Sequence, residues 1–316
     1  MVEELKILIY REELKPQWDN FITNSKNGVF LFYRDYMEYH ADRFVDHSLM
    51  FFKGHKLVAV MPANIKDNVL FTHGGLTFGG IVSEYGMETQ LMLEIFDKLV
   101  QYCEPVGIKK IIYKAIPHIY HKAPAEEDLY VLFRHNAKLI RRDVSSTIFL
   151  KERIPFSKGR GWCIKKSKIK GLEVKRSYDF KTFMAIEEEN LRKKYNVRPT
   201  HTADEIQLLA SRFPENIKLF TAHKDDTMYA GVIIYESKNV AHTQYIAATD
   251  EGKKLYATDL ILDFLINDKY AKKKYFDFGI STEKEGKFLN VGLITQKEEF
   301  GARAVVYDTY ELEIKE

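Results

Sequence analysis

The sequence predicts an α/β protein, in the broader α+β sense, with two tandem domains that each contain a mixed, mainly antiparallel sheet flanked by helices. The 316 residues are enough for two domains of ordinary size, each with its own core. One series of elements, three strands followed by a helix and a further strand, occurs twice in the same order, about 170 residues apart. We therefore expect domains at 1–150 and 151–316.

The composition is that of a globular protein, with 45% hydrophobic and 13% aromatic residues. Two cysteines, Cys103 and Cys163, cannot form a disulfide framework, and the start "MVEELKILIY" lacks the layout of a signal peptide. No apolar run approaches the roughly 20 residues that a membrane helix needs. We therefore expect a cytoplasmic protein with at most peripheral membrane contact.

The first half begins its repeated series with "HSLMFFKGHKLVAVMPANIKDNVLFTH", which predicts three short strands joined by turns at "KGHK" and "KDN". A helix over "MLEIFDKLVQYCEPVG" follows, with Leu93, Phe96 and Leu99 on one face and with Pro105 and Gly107 as stop signals. The stretch "IKKIIYKAI" is the next strand. A helix over "PAEEDLYVLFRHN" and a strand over "VSSTIFL" close this half.

The second half repeats the series over "IKLFTAHKDDTMYAGVIIYESKNVAHTQYIAATD", with turns at "KDD" and "SKN". A helix over "YATDLILDFLINDKYAKK" and a strand over "KYFDFG" follow. Two helices precede the strands. One, "DFKTFMAIEEENLRKKYN", has an apolar stripe that includes Phe180, Phe183 and Leu191, and the other, "THTADEIQLLASRF", starts with a capping box of Thr202 and Glu205.

A basic segment, Lys151 to Arg176, lies between the halves and holds ten Lys and Arg against only Glu152 and Glu173. Ser157 is placed to cap a basic helix that bridges the domains. Two interpretations stay open. Charge runs usually form a solvated helix or linker, but the same segment could contact the phosphates of a cofactor, a tRNA or a lipid-linked precursor.

The order of elements in the second half resembles the GNAT superfamily, whose members transfer acyl groups from thioesters to amines. The tail, "KYFDFGISTEKEGKFLNVGLITQKEEFGARAVVYDTYEL", is similar to the end of the FemAB-like branch. That branch consists of tandem-GNAT proteins and includes the aminoacyltransferases that build peptidoglycan cross-bridges. Lys297 and Phe300-Gly301 lie where it carries a Lys and a Phe-Gly near its acyl site. "GGLTFGGIV" resembles the glycine-rich turn of its non-catalytic copy.

The resemblance implies a degenerate first domain and a second domain that acts as an N-acyltransferase. It would transfer an acetyl or aminoacyl group to an amine on a sugar, a peptide or a cell-wall precursor. The alternative is a catalytically inactive tandem scaffold that binds a polyanionic or phosphorylated ligand. Glycines missing from the second copy favour the scaffold, whereas the tail motif favours the enzyme.

The resemblance also implies that the strand "HTQYIAATD" parts from its neighbour near Ala248 and Phe278, since unpaired N–H groups there would face the acyl oxyanion. For an acyl transfer of this kind we expect Lys297 to act as an electrostatic stabiliser, Asp277 as a base or an anchor of the acceptor amine, and Asn290 as an orienting amide. Amine acylation needs such groups. As alternatives, Lys297 would be an exposed helix residue in ion pairs, and Asp277 would be solvated or bind a helix cap.

The stretch "DEGKKLYATDL" stands where GNAT enzymes carry a glycine-rich loop that holds the coenzyme A pyrophosphate. Only Gly252 remains, beside two lysines. The pattern fits a weakened site for acetyl-CoA or another acyl-CoA, and it equally fits aminoacyl-tRNA as the donor. The implied donor-binding residues are Ala247, Ala248, Thr249, Lys253, Lys254, Tyr256, Ala257 and Thr258.

The candidate acceptor-binding residues are Gly79, Gly80, Tyr195, His242 and Gln244. Alternation places His242 and Gln244 on one face of their strand together with Ala248, either lining the acceptor pocket or as ordinary half-buried polar residues. The two glycines either shape a wall of the acceptor site or merely turn the chain, and Tyr195 either borders the acceptor or covers the core. Histidines and cysteines show no metal-ligand spacing, so we expect no metal.

Overall fold

The computed structural model describes residues 4–314, which divide into two compact units. The first unit comprises the chain up to Asp143, Lys284–Phe288 and the chain from Val306 onward, and the second comprises Val144–Glu283 and Leu289–Val305. The domains at 1–150 and 151–316 stay a prediction. The boundary between the units at residues 143 and 144 lies inside a continuous strand, Lys138–Phe149. The interpretation of the N-terminus rests partly on Met1 to Glu3, which lie outside the described residues.

The first unit begins with eight strands, four helices and part of a ninth strand. The strands are β1 (Leu5–Ile9), β2 (Val45–Asp46), β3 (Leu49–Lys53), β4 (Lys56–Met61), β5 (Asn64–Lys66), β6 (Val69–Phe71), β7 (Val82–Ser83), β8 (Lys110–Lys114) and β9 (Lys138–Phe149). The helices are α1 (Lys15–Asn24), α2 (Arg34–Met37), α3 (Thr89–Val106) and α4 (Glu127–Arg134). One antiparallel sheet has the order β1-β3-β4-β7, and β6 pairs antiparallel with β5 and parallel with β8.

The repeated series of the first half contains four strands, β3 to β6, so the prediction of three is wrong. Pro62 separates β4 from β5. Because proline has no N–H to give to a ladder, a central strand cannot continue through it. The strands before Pro62, β3 and β4, belong to one sheet, and the strands after it, β5 and β6, belong to another.

The remaining chain forms the elements that follow. The strands are β10 (Glu173–Ser177), β11 (Ile217–Lys224), β12 (Thr227–Glu236), β13 (Val240–Ala248), β14 (Tyr275–Ile280), β15 (Thr282–Glu283), β16 (Phe288–Leu289) and β17 (Arg303–Glu313). The helices are α5 (Lys158–Ile169), α6 (Phe180–Tyr195), α7 (Ala203–Arg212), α8 (Asp250–Lys254), α9 (Ala257–Phe264), the π-helical turn Leu265–Lys269 and α10 (Val291–Glu298).

In the second unit, β10 to β13 are antiparallel neighbours in chain order, β13 pairs parallel with β14, and β14 pairs antiparallel with β9. Helix α9 packs on β12 and β13, and its Leu260 and Ile261 belong to the same buried cluster as Val232 and Ala241 of those strands. The predicted fold class, mixed and mainly antiparallel sheets flanked by helices, is confirmed.

Two predicted helix starts are confirmed by their caps. The Ser157 hydroxyl accepts a hydrogen bond from the Arg160 amide at the start of α5. At the start of α7, Thr202 and Glu205 form both bonds of a capping box. Caps satisfy amides that have no partner within the helix, which is why short polar residues mark these positions in the sequence.

A loop at residues 72–81 closes the gap where β6 and β8 cease to pair in the first unit. Their parallel pairing ends at Phe71 and Ile112. Beyond it, the Gly79 amide donates to the Lys114 carbonyl at 3.0 Å, and the Ile81 amide donates to the Tyr113 hydroxyl at 2.8 Å. The backbone of the loop therefore takes the place of the missing strand partner.

The glycines of this loop are required by the closeness of its packing. A Cβ on Gly79 would overlap the carbonyl oxygen of Thr72. At Gly80, where φ is +83°, a Cβ would lie 2.7 Å from the Tyr113 hydroxyl. Only glycine adopts such a conformation without strain and at such short range. This accounts for Gly79 and Gly80, two of the glycines that distinguish the first copy from the second.

No helix within residues 4–314 combines the length and the apolar character needed to cross a lipid bilayer.

We predict that Gly79→Ala lowers the free energy of unfolding by about 1–3 kcal/mol, the usual cost of overpacking. Gly86→Ala is the matched control, because a Cβ there meets nothing within 4 Å. We expect that change to stay within about 0.5 kcal/mol of the parent. Urea denaturation measures both, and equal stability of the two variants would contradict the packing role of the loop.

Candidate active site

The two neighbouring strands β13 and β14 part in the second unit. They pair in parallel only at Val240 with Tyr275, Ala241 with Phe276, and His242 with Asp277. Beyond these pairs β13 continues to residue 248 and β14 to residue 280 without pairing to each other. The predicted separation of these strands is therefore confirmed.

The gap between the strands exposes peptide groups of β13. The Thr249 amide donates to the Tyr229 carbonyl of β12 at 2.9 Å. Because peptide groups alternate in direction along a strand, those of Ala248 point away from β12 and towards the gap. The Asn190 side chain of α6 donates to the Ala248 carbonyl at 2.9 Å. Helix α6 thus holds the end of β13 through the Ala248 carbonyl, while the N–H of Ala248 faces the gap.

A cleft of about 700 Å³ follows this gap. Its lining residues come from α6, β13, α8, α9, β14 and α10 and lie in the second unit: Glu187, Asn190, Leu191, Lys193, Lys194, Tyr195, Ile246, Ala247, Ala248, Asp250, Lys253, Thr258, Leu262, Phe278, Leu293, Gln296, Lys297 and Phe300. Four lysines against two carboxylates make the cleft cationic, which suits an anionic ligand.

Lys297 is buried at the wall of this cleft, with only 7% of its surface exposed. Its ammonium group donates to the carbonyl oxygens of Gly279 and Ile280, each at 2.8 Å. Burial lowers the pKa of Lys297 to about 8, although the charge of Asp277 acts in the opposite direction. Lysine has three N–H donors, so one remains for a bound group. The alternative of an exposed, ion-paired lysine does not fit this geometry.

A bulge in β14 presents those two carbonyls. Asp277 pairs with Thr147 and Ile280 pairs with Ser145, so two residues of β14 lie opposite a single residue of β9. Gly279 within the bulge has φ +75°, a conformation that glycine adopts at little cost. Bulges redirect a strand locally, and here the redirected carbonyls accept from the ammonium group.

Asp277 is fully buried and fully hydrogen-bonded. Its carboxylate accepts from the hydroxyls of Ser145 and Thr147, each at 2.6 Å, and from His242 Nδ1 at 2.7 Å. Burial alone would raise the pKa of Asp277, but the hydrogen bonds from His242, Ser145 and Thr147 hold it below its usual value. This geometry favours a positioning role. Its assignment as base or acceptor anchor stays a prediction without support from these contacts.

A second bulge, in β13, overturns the prediction that His242 and Gln244 share a face with Ala248. Thr243 pairs with Ile234 and Tyr245 pairs with Ile233, so Gln244 is an extra residue. One inserted residue shifts the alternation of side chains by one position. His242 and Ala248 therefore lie on opposite faces of the sheet, and neither His242 nor Gln244 is among the residues that line the cleft.

Asn290 is the N-cap of α10. Its side-chain oxygen accepts from the Leu293 amide at 3.0 Å, and its side-chain nitrogen donates to Glu283 at 2.8 Å. Its role as an orienting amide for a substrate stays a prediction, since the helix cap and the bond to Glu283 use both ends of the side chain.

The predicted donor-binding residues divide into two groups. Ala247, Ala248, Lys253 and Thr258 line the cleft. Thr249 caps α8, Lys254 and Tyr256 lie outside the lining, and Ala257 is fully buried in the core. Among the acceptor candidates, Tyr195 lines the cleft and is 48% exposed. Gly79 and Gly80 are buried in the first unit, where their packing explains them.

The first turn of α8 leaves little provision for a pyrophosphate. A Cβ on Gly252 would overlap the Tyr229 carbonyl, so this glycine serves the packing of α8 on β12. The carboxylate of Asp250 lies in the turn and pairs with Lys253 at 2.9 Å and Lys193 at 3.1 Å. Hydrogen bonds from these lysines lower the pKa of Asp250, which keeps it negative.

The cleft residues that were not predicted include Glu187 and Asn190 of α6. Glu187 stands within the run "EEE", which resembles a solvated helix face. A signal was nevertheless present, because position 187 continues the spacing of the apolar stripe at 180, 183 and 184. Asn190 gave no comparable signal. Within residues 4–314, no three His, Cys, Asp or Glu side chains lie close enough together to hold a metal ion.

No protein-family model matches the sequence, and no curated protein matches it. Solved structures do match. FemX has a TM-score of 0.68 at 10% sequence identity, with 96% of each chain covered. The C-terminal domain of a lysylphosphatidylglycerol synthetase from Agrobacterium fabrum has a TM-score of 0.60 at 10% identity, covering 95% of this chain and 92% of that one.

A tandem GNAT protein from the clavulanic acid biosynthesis pathway has a TM-score of 0.52 at 9% identity, with 99% of each chain covered. Together these similarities confirm the fold that the sequence predicted, a tandem GNAT fold of the FemAB-like kind.

We predict that Asp277→Ala lowers the free energy of unfolding at neutral pH by about 3–5 kcal/mol, since it removes one member of a buried polar network. Because the pKa of Asp277 is depressed in the folded protein, its contribution exists at neutral pH and is lost on acidification through that pKa. The difference in the free energy of unfolding between parent and variant should therefore decrease in acid. Urea denaturation across pH measures this, with the exposed Asp268→Ala as control. A difference in stability that does not change with pH would contradict the ionised state of Asp277.

Proposed function

We propose that this chain is an N-acyltransferase whose second unit joins an acyl group to an amine. The observation that carries this proposal is the parting of β13 and β14 beside a buried lysine. An acyl carbonyl that enters the gap meets backbone N–H groups of β13 and lies in the same cleft as Lys297. Preorganised donors of this kind stabilise the charge that develops on a carbonyl oxygen.

In the proposed reaction, the nitrogen of a neutral amine attacks the acyl carbon and forms a tetrahedral oxyanion. Backbone amides and the Lys297 ammonium group stabilise this oxyanion. The bond from carbon to the leaving sulfur or oxygen then breaks, and the leaving group takes a proton while the nitrogen loses one. The two carbonyls that accept from Lys297 fix its position before the reaction, so no reorganisation is needed in the transition state.

The donor is an acyl-CoA or an aminoacyl-tRNA, and the α8 turn favours the tRNA. In a phosphate cradle we would expect free backbone amides and no carboxylate. Here Asp250 occupies the turn, and Gly252 is explained by packing. An aminoacyl ester at the end of a tRNA does not need a pyrophosphate at this position.

An aromatic and cationic surface on α5 also supports an RNA donor. Trp162 is 52% exposed, and its ring lies 5.5 Å from that of Tyr256 in an edge-to-face arrangement. Lys166 lies 5.3 Å from the centre of the Trp162 ring, and Lys170 lies 5.7 Å from that of Tyr256. An exposed Trp ring with a half-buried Tyr ring and two lysines beside it suits stacked bases and their phosphates.

The acceptor that we propose is an amine on a sugar, a peptide or a cell-wall precursor. The FemAB-like resemblance and the structural similarity to FemX support the last of these. Tyr195 and Leu293, which lie at the cleft with 48% and 38% exposure, give that acceptor an apolar border.

We predict that Lys297→Met, which keeps an apolar stem but removes the charge, lowers turnover about 10²- to 10³-fold, as for other oxyanion donors. Because the pKa of Lys297 is about 8, the rate of the parent should fall above that pH as the ammonium loses its proton. The exposed Lys181→Met serves as control. Steady-state assays with acetyl-CoA and with aminoacyl-tRNA measure the rate. A folded Lys297→Met protein at full rate would falsify the assignment.

We predict that tRNA binds with an affinity that falls steeply with salt, by several units of logarithmic slope. Trp162→Ala should weaken that binding by about 1–3 kcal/mol, the usual worth of one base stacked on an aromatic ring. Tyr85→Ala, an exposed ring of the first unit, is the control. Fluorescence anisotropy with labelled tRNA measures the affinity. Binding of acetyl-CoA alone would identify acyl-CoA as the donor, and polyanion binding without any transfer would favour the inactive scaffold.

A further inference from the structure

Glu187 is an acidic residue on the apolar side of α6. Its neighbours on that stripe, Phe183 and Met184, are buried in the core of the unit. Glu187 itself is half-buried and lines the same cleft as Lys297. A carboxylate on an apolar stripe is unfavourable unless it has a partner or a function.

No residue within the described range 4–314 forms a hydrogen bond or an ion pair with the Glu187 carboxylate. The next two residues behave differently. Glu188 lies 3.8 Å from Arg198, and Glu189 pairs with Lys193 at 2.8 Å, both at the solvent side. Glu187 is thus the member of the run that faces the cleft and keeps its carboxylate available to a ligand.

The groups around Glu187 come from four elements. On β13, Tyr245 is buried, and its hydroxyl lies 2.7 Å from His201 Nδ1. The charged groups at the cleft are Lys193 and Lys194 on α6, Asp250 and Lys253 on α8, and Lys297 on α10. Burial alone raises the pKa of Glu187 to about 7, so these charges do not pull it back to its ordinary value.

We propose that Glu187 is the general base that takes a proton from the acceptor ammonium, an inference that rests on the proposed function. The carboxylate first binds the ammonium group and then accepts one of its three protons, which leaves a neutral amine for attack on the acyl carbon. After attack the nitrogen loses a second proton as the leaving group gains one. Glu187 releases its proton to solvent, so one proton is produced for each amide formed.

Other acids near the gap are less suited to this role. Asp277 is sealed in the sheet with three donors on its carboxylate. Asp250 is held by Lys253 and Lys193. A base works best when its pKa is near the pH of the reaction, a condition that burial in the cleft gives to Glu187.

The test compares Glu187→Gln, which keeps the shape of the side chain, with the exposed control Glu188→Gln. Each protein receives acetyl-CoA or aminoacyl-tRNA, whichever the parent uses, and one of two acceptors. Methylamine is an ammonium ion at neutral pH and needs a base, whereas hydroxylamine is largely uncharged and does not. The reaction without enzyme is subtracted in each case.

We expect Glu187→Gln to lose about 10²- to 10⁴-fold in kcat with methylamine, the usual contribution of a general base, and to retain most of its rate with hydroxylamine. The rise of the parent rate through pH 7 should disappear in this variant. Equal losses with both acceptors, or none with methylamine, would overturn the base while leaving the transferase intact. A parent that acylates neither acceptor would overturn the proposed function, and the base with it.

A second measurement needs no substrate. Since the pKa of Glu187 is raised in the folded protein, the folded state favours the protonated form and loses stability as pH rises from the ordinary glutamate range through about 7. Glu187→Gln should therefore melt at a higher temperature than the parent at pH 8 and show little difference in acid. If the Glu187 carboxylate were in open solvent, Glu187→Gln would not raise the melting temperature at pH 8, and that result would contradict the inference.

Discussion

The hydrogen-bond network of Asp277 determines where the sheet of the second unit opens. Ser145 and Thr147 of β9 and His242 of β13 all donate to this one carboxylate, so three strands are tied together at a single level. Beyond it, β13 and β14 have no further pairs with each other. Because this network is buried and the Asp277 carboxylate is fully hydrogen-bonded, the gap between β13 and β14 begins at a defined position. The cleft lies along that gap.

Two bulges shape the walls of that gap. The extra residue Gln244 in β13 decides which side chains face α6 and which face α9. The bulge at Phe278 and Gly279 turns two carbonyls of β14 towards Lys297. A lysine that is buried without a carboxylate partner needs such acceptors, since an unsolvated ammonium group is costly. The irregular backbone is thus what keeps a charged group inside the site.

Features governed by local chemistry were predictable from the sequence. The caps at Ser157 and Thr202 depend on a few adjacent residues, and the parting of the strands followed from the resemblance of the tail. The face of His242 was not predictable, because counting by twos along a strand assumes a regular register and a bulge breaks it. Glu187 was not predicted for a different reason. It stands in the run "EEE", which resembles a solvated helix face, and only its position on the apolar stripe of α6 distinguishes it.

The loop at residues 72–81 limits which substitutions the first copy tolerates. In the first copy the backbone of the loop donates to the Lys114 carbonyl and the Tyr113 hydroxyl of β8, whereas β13 and β14 of the second unit leave a gap between them. A side chain at Gly79 or Gly80 would collide with Thr72 or Tyr113, so these two positions require glycine, whereas Gly86, with open space around it, does not.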